Sequence, residues 1–317
     1  MKGETRIFPM KMLNLSIITA AIIGAVSVNA ANQTSTIYQS GNGNTADTLQ
    51  SSSQNVTIDV KQLGTENSSK STQVGALYSD TTIYQSGSFN SATTDQTGTK
   101  NDINIEQRGK RNDAQVDQSG YKNNTDIDQR GRKNDATVAQ SGKFNEIDVK
   151  QSGRKNDADV KQRGFMNDVY VKQNGNGNEA DVNQRGRYND TTVKQSGNGN
   201  FADVKQRGWK NDVDVVQKGH FNDADVKQRG VHNDIDVAQT GNHNDAKVRQ
   251  SGAHNDIDVD QIGRRNDADI KQSGTWNESD TYQNGHHNDV TVTQSAYNDL
   301  ASVTQYGGHN SATVNQN

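Results

Sequence analysis

From residue 85 onward, apolar and polar positions alternate along the chain in short runs separated by glycine. In 156–162, NDADVKQ, one face carries Asn156, Ala158, Val160 and Gln162, and the other carries Asp157, Asp159 and Lys161. A period of two is that of a β-strand with an inward and an outward face. Residues two apart would lie on different sides of a helix. The next four residues, Arg163-Gly164-Phe165-Met166, contain a glycine free to take a positive φ and read as a turn. Seven strand residues and four turn residues make an eleven-residue unit.

The unit recurs throughout. Gln stands at every eleventh position from Gln85 to Gln316, and Gln39, Gln50, Gln62 and Gln73 keep the rhythm with single-residue insertions. Gly follows two places after almost every Gln, and Asn five places after. Ala296 breaks the glycine pattern, and the turn at 295–297 reads as one residue short, recovered before Gln305. A longer rhythm overlies this one. Two places after the Asn, Ala recurs every 22 residues, as at Ala114, Ala136, Ala158 and Ala180, while the units between carry Thr125, Ile147, Val169 and Thr191. The alternation predicts a 22-residue coil of two strands and two turns, in which Ala on one sheet faces a bulkier side chain on the other. An internal repeat of this kind decides the fold. The expected class is all-β, a two-strands-per-coil β-solenoid of cross-β, amyloid-like character. Its 26 Gln beats make about 13 coils, a stack of roughly 60 Å at strand spacing.

The strict beat of a residue that usually sits in solvent needs an explanation. In stacked coils each Gln lies about 4.8 Å from the Gln of the next coil. A primary amide is both donor and acceptor, so a column of them bonds neighbour to neighbour, which meets the demand of buried polar groups for partners. Solvated loop amides would show neither the fixed beat nor a shared face with Val and Ala. The positions expected in such ladders are Gln39, Asn44, Gln50, Gln85, Asn90, Gln140, Asn145, Gln162, Asn167, Gln184, Asn189, Gln206, Asn211, Gln228, Asn233, Gln250, Asn255, Gln305, Asn310 and Gln316.

Composition refines this picture. At 29% hydrophobic and 5% aromatic residues the bulk figures alone would suggest disorder, and the periodicity overrules them. Cysteine is absent, which excludes a disulfide framework and thiol chemistry. Lys2, Arg6 and Lys11 precede the apolar run 13–28, and Val28-Asn29-Ala30 offers small residues for cleavage, the layout of a secretory signal peptide. The expected organisation is a signal peptide over 1–30, less regular repeats over 31–84 and the regular solenoid over 85–317. Export would leave a chain of net charge −6 against −4 for the whole, which gives no hint of nucleic-acid binding. The last unit, YGGHNSATVNQN, repeats the interior pattern, and IYQSGNGN (37–44) begins just after the signal. Solenoid ends that repeat the interior template a further copy, so self-assembly end to end is expected.

The units IYQSGNGNTADTLQ (37–50) and VNQRGRYNDTTVKQSGNGNFADVKQ (182–206) resemble curlin repeats, whose pattern is Q-x-G-x-x-N-x-A-x-x-x-Q. The resemblance covers nearly all of the expected mature chain. It implies a structural subunit of curli, the secreted functional-amyloid fibres of bacterial biofilms, active in matrix building and adhesion. It also implies a nucleator curlin and an outer-membrane export machinery as partners, and ladder roles for Gln39, Asn44, Gln50, Asn55, Gln305, Asn310 and Gln316. The chain has more repeats and more charge than the familiar curlins. Arg163, Arg185, Arg207 and Arg229 stand 22 apart and predict a column of like charges, read as a guard against sideways aggregation.

Other function classes fit less well. A polysaccharide-processing β-helix needs singular residues in one geometry, whereas every acidic residue here has equivalents in other units. The chain is read as non-enzymatic, with no cofactor and no metal. The calcium repeat G-G-x-G-x-D is absent, although loose cation binding by Asp rows, or a non-polymerising secreted adhesin, is an alternative to the fibre. All seven His fall in turns, where His232 with His254 and His287 with His309 could stack. Uniform repeats to the end favour a major fibre subunit over a nucleator.

Overall fold

A computed structural model describes residues 21–22 and 32–317 of the chain. The expected signal peptide therefore lies outside the described residues, apart from Ala21–Ile22, a two-residue strand parallel to Asp47 and Thr48. The described chain is a β-solenoid of about 22 residues per coil. Its two parallel sheets have 14 and 13 strands, and consecutive strands alternate between them. We call the sheet that holds Asp157–Phe165 the first and the sheet that holds Asp168–Asn176 the second.

Each strand pairs with the strand two places along. Asp157–Phe165 lies between Asp135–Lys143 and Glu179–Arg187, with Gln162 in register with Gln140 and Gln184. Identity of register follows from chemistry: a slip of one residue would turn Val160 and Gln162 outward and Asp159 and Lys161 inward. In the less regular segment the partners stand 23 apart, as in Gln39 with Gln62, so the insertions sit in turns and the same solenoid continues.

The strands are longer than the alternation predicts. A typical one runs nine residues, from the residue after Asn to the third after Gln, and only two residues join it to the next. Glycine stays in the ladder while bending it. Gly164 has φ 145°, and a Cβ there would stand 1.8 Å from the carbonyl oxygen of Gly186 in the next coil. Two residues later Met166 takes a left-handed φ of 51°, a place held by Lys155, Tyr188 and His254 in other coils and by Gly43, Gly177 and Gly199 (φ 64–67°) in three units. The corner thus needs two unusual residues, and only the first is closed to side chains.

The turn at 295–297 is not short. Ala296 fills the glycine place, Asn298 takes φ 60°, and Glu278–His286 pairs in unbroken register with Leu300–Gly308.

The core is one dry file of Ala, Val and Ile, including Val160 and Val171, fully buried between the sheets. The Ala column lies on the first sheet, but the bulky group that reaches it is the Gln of the second. Gln151 Nε2 donates to the backbone oxygen of Asp135, next to Ala136, at 2.5 Å. The reverse contact, Gln140 Nε2 to the oxygen of Asn124, measures 3.0 Å, because the second sheet carries the larger Thr125 there. Thr125 turns that crowding to use: its hydroxyl donates to Gln140 Oε1 at 3.1 Å and accepts from Gln118 Nε2 at 3.2 Å.

Substituting Gly164→Ala should cost about 3 kcal/mol or more, from overpacking together with φ strain. Gly177→Ala, with nothing within 4 Å of the added methyl, should carry only the left-handed φ cost of about 1–2 kcal/mol. Denaturant midpoints of the two variants check this; equal losses would contradict it.

Candidate functional site: the amide ladders

Two Gln columns run the length of the stack, one per sheet. In the first, Gln140 Nε2 donates to Gln162 Oε1, Gln162 to Gln184, and Gln184 to Gln206, at 2.9, 2.9 and 2.8 Å. The column continues through Gln228 and Gln250 to Gln316 and starts at Gln50. The second starts with Gln39, Gln62 and Gln85 and ends with Gln283 donating to Gln305. The interior members are buried. The second proton of Nε2 goes to a backbone oxygen across the coil, as from Gln162 to Glu146 at 3.0 Å. Every interior amide therefore donates toward the C-terminal coil, accepts from the N-terminal one and ties the two sheets together.

Asn columns run beside them with the opposite sense. The Oδ1 of Asn145 accepts from the backbone N–H of Asn167, and that of Asn167 from Asn189, both at 3.1 Å. Asn Nδ2 donates within its own turn and to a glycine carbonyl of the next coil, as from Asn167 to Gly186 at 3.1 Å. Asn211, Asn233 and Asn255 repeat this on the first sheet's corner. The other Asn column begins at Asn44, passes Asn90 and ends at Asn310. The Asn ladder thus locks side chain to backbone at each corner more than side chain to side chain.

Asn55 does not belong to it. It occupies a left-handed turn position (φ 51°) and accepts only from Asn32. Val56 stands at the ladder place in register, and the column starts at Ser79, whose hydroxyl accepts from the N–H of Asn101 at 3.1 Å. At the other end Asp299 replaces Asn, and its N–H donates to Asn277 Oδ1.

The outer faces carry the charge in registered columns. The Arg column appears as the spacing predicts, Arg163, Arg185, Arg207 and Arg229 being successive partners. Asp columns stack likewise. Asp135 lies between Asp113 and Asp157; partial burial and then those two like charges push its pKa up to about 6. Asp168, Asp212 and Asp234 on the second sheet are also raised to about 6, by burial and then by the carboxylates of adjacent coils. No group of three or more metal-ligating side chains occurs among the described residues.

At the turns, His232 stacks on His254 (4.9 Å, 10°) and His287 on His309 (5.0 Å, 4°). The spacing did not reveal that aromatics one place apart in alternate units join a single column. Tyr121, Phe144, Phe165 and Tyr188 meet edge to face at 5.4–5.6 Å. Trp209 meets His232, and Trp276 stacks on His254, while Phe221 lies on His243 at the opposite corner.

A two-sheet parallel solenoid held by continuous amide columns is a structural repeat fold. Among known families, the curlin associated repeat matches in eleven overlapping segments that run without a gap from 79 to 295, including 142–175, 175–208 and 263–295. The chain belongs to the curlin associated repeat family. No curated protein matches it.

Gln162→Ala should lower stability by about 2–5 kcal/mol, since it opens a cavity and leaves Gln184 Oε1 buried without its donor. Gln162→Met, which fills the space but keeps the orphan, should recover only part of this. Full recovery in chemical denaturation would mean that the ladder bond is not what matters.

Folding raises the Asp pKa values, so folded coils hold protons the unfolded chain has released. That stability is complete below about pH 4 and is lost as pH rises through about 6. His232 and His287, depressed by partial desolvation and then by nearby cations, act in the opposite sense, but both lie at the surface corners. The denaturant midpoint should therefore be higher at pH 5 than at pH 7.5, and an equal or lower one would contradict this.

Proposed function

We propose that the chain is a structural subunit of an extracellular curli-type functional amyloid fibre, contributing to biofilm matrix and adhesion, and that it polymerises end to end. The observation that carries this reading is the match between the two terminal coils. Gln305 and Gln316 spend one Nε2 proton on backbone oxygens, of Asp289 and Leu300, and among the described residues have no Gln acceptor for the other. Gln39 and Gln50 donate onward but accept no bond at Oε1 among the described residues. Asn310 Oδ1 likewise lacks the backbone N–H that every earlier Oδ1 in its column receives, and the N–H of Asn44 is available. Each group at one end matches its counterpart at the other, in the same column and with the same polarity. A second copy stacked in register would extend all three columns by the bond already repeated in each coil.

Cleavage after Ala30 would fit this, since it removes Ala21–Ile22 from the edge of Thr45–Ser51 and frees that strand. Family membership supports the secreted location, a nucleator curlin and an outer-membrane export machinery as partners. Equivalence of the acidic residues from coil to coil supports a structural role over catalysis. The uniformity of the coils supports a major subunit.

Purified protein should form fibres with a thioflavin signal and a meridional reflection near 4.8 Å. The double substitution Gln305→Glu, Gln316→Glu sets carboxylates against the acceptors of the next copy and should slow seeded elongation about tenfold or more. A persistently soluble wild-type protein, or unchanged elongation of the variant, would overturn the reading.

A further inference from the structure

We propose that the outer face of the first sheet is a docking surface for a second copy of the same face, in a side-by-side pair with both solenoids pointing the same way. In fibres this makes bundles of one polarity. The inference extends the fibre reading to how fibres meet.

The charge on this face is divided lengthwise. From Asp157 to Val231 the first two outward positions of each strand are acidic, Phe201 excepted: Asp157 and Asp159, Glu179 and Asp181, Asp203, then Asp223 and Asp225. The last two are basic or neutral: Lys161 and Arg163, Asn183 and Arg185, Lys227 and Arg229. Strict parallel register turns these into stripes along the axis, acid on one margin and base on the other. Six residues separate the margins, about 20 Å at strand rise. The inner columns already neutralise each other, as Lys161 does with Asp159 at 2.6 Å and Lys227 with Asp225 at 2.8 Å. The outer columns do not: Arg163, Arg185, Arg207 and Arg229 make no ion pair among the described residues, nor do Asp157, Glu179 and Asp223. Past Arg229 the Arg column gives way to Ser251 and Ser273, leaving an open trough floored by serine and walled by Lys227, Arg249 and Lys271, wide enough to receive a partner's carboxylates. The second sheet lacks this division. There Glu106 and Asp128 pair with Arg108 and Arg130 on the same margin, and Val216, Ala238 and Ile262 interrupt it.

Symmetry decides the orientation. Two such faces related by a two-fold axis along the solenoid lie parallel, and each acid margin meets the partner's basic margin. A two-fold axis along the strand direction makes them antiparallel and sets acid on acid and Arg on Arg. Like-charge contact rejects that arrangement. The Arg column therefore blocks one kind of sideways contact and selects another. One copy contributes a modest area, so the pairing gains strength by repetition along a fibre.

The absence of cysteine gives a clean background for the test. Margins that face each other in the parallel pair are represented by Glu179→Cys and Arg185→Cys. The two variants, mixed under mild oxidation at low salt, should give the mixed disulfide about tenfold above the symmetric disulfide of either variant alone. Raising salt to about 0.5 M should remove most of that excess. Symmetric disulfides in excess would establish antiparallel contact and overturn the proposal, as would equal yields or no cross-link. A second pair, Asp203→Cys with Lys205→Cys, should behave in the same way and guards against a folding defect in the first. Thioflavin fluorescence of the reduced proteins reads elongation separately, so a failure to form fibres with the mixed cross-link intact would count against the fibre and not against the face.

Discussion

The hydrogen bond from one glutamine amide to the glutamine of the next coil is the constraint on which the architecture rests. It has a direction, because Nε2 donates and Oε1 accepts, and the direction is the same in every coil. It also has a fixed length, which the 2.8–3.0 Å contacts through Gln140, Gln162, Gln184 and Gln206 share. That length suits the spacing of parallel strands and so demands that like residues stack on like. The rest of the sequence obeys that demand. Glycine must repeat because the corner brings backbone against backbone. Charges must stack even where stacking costs energy, and their repulsion adds to partial burial in making Asp135 and its equivalents hold protons more tightly than solvated carboxylates do.

The two sheets are not interchangeable, and the difference is functional. Ala on the first sheet lets the second sheet's Gln reach the opposite backbone closely, while Ile, Val and Thr on the second hold the first sheet's Gln further off. Where Thr occurs, as at Thr125 and Thr191, its hydroxyl joins the ladder. Outside, the first sheet separates its charges into stripes and the second mixes them. One 22-residue coil therefore has a defined front and back as well as a top and bottom. Axial growth and lateral association can draw on different surfaces of the same repeat.

Much of this was legible in the sequence. Period two gave strands, the 11-residue beat gave the turns, and the Ala alternation gave two strands per coil, because all three are local patterns that packing only had to honour. The Gln ladder was legible for the same reason. What escaped reading depends on geometry across the coil. The Asn column bonds to backbone N–H groups, which a sequence does not display. Asn55 looked like a ladder residue by count, but the insertions nearby move it to a turn and give its place to Val56. The partner of the small Ala position is Gln, since antiparallel crossing of the two strands within a coil sets the start of one against the end of the other. The aromatic column at the corners was hidden because its members alternate between two adjacent positions.

The most direct measurement of the central claim is magnetic recoupling in assembled fibres labelled at glutamine side chains, with 15N at Nε2 and 13C at Cδ introduced on different molecules before mixing. Intermolecular coupling between Gln316 of one copy and Gln50 of the next should appear along with slow exchange of the side-chain amide protons. Rapid exchange with bulk water, and no coupling between molecules, would contradict the account.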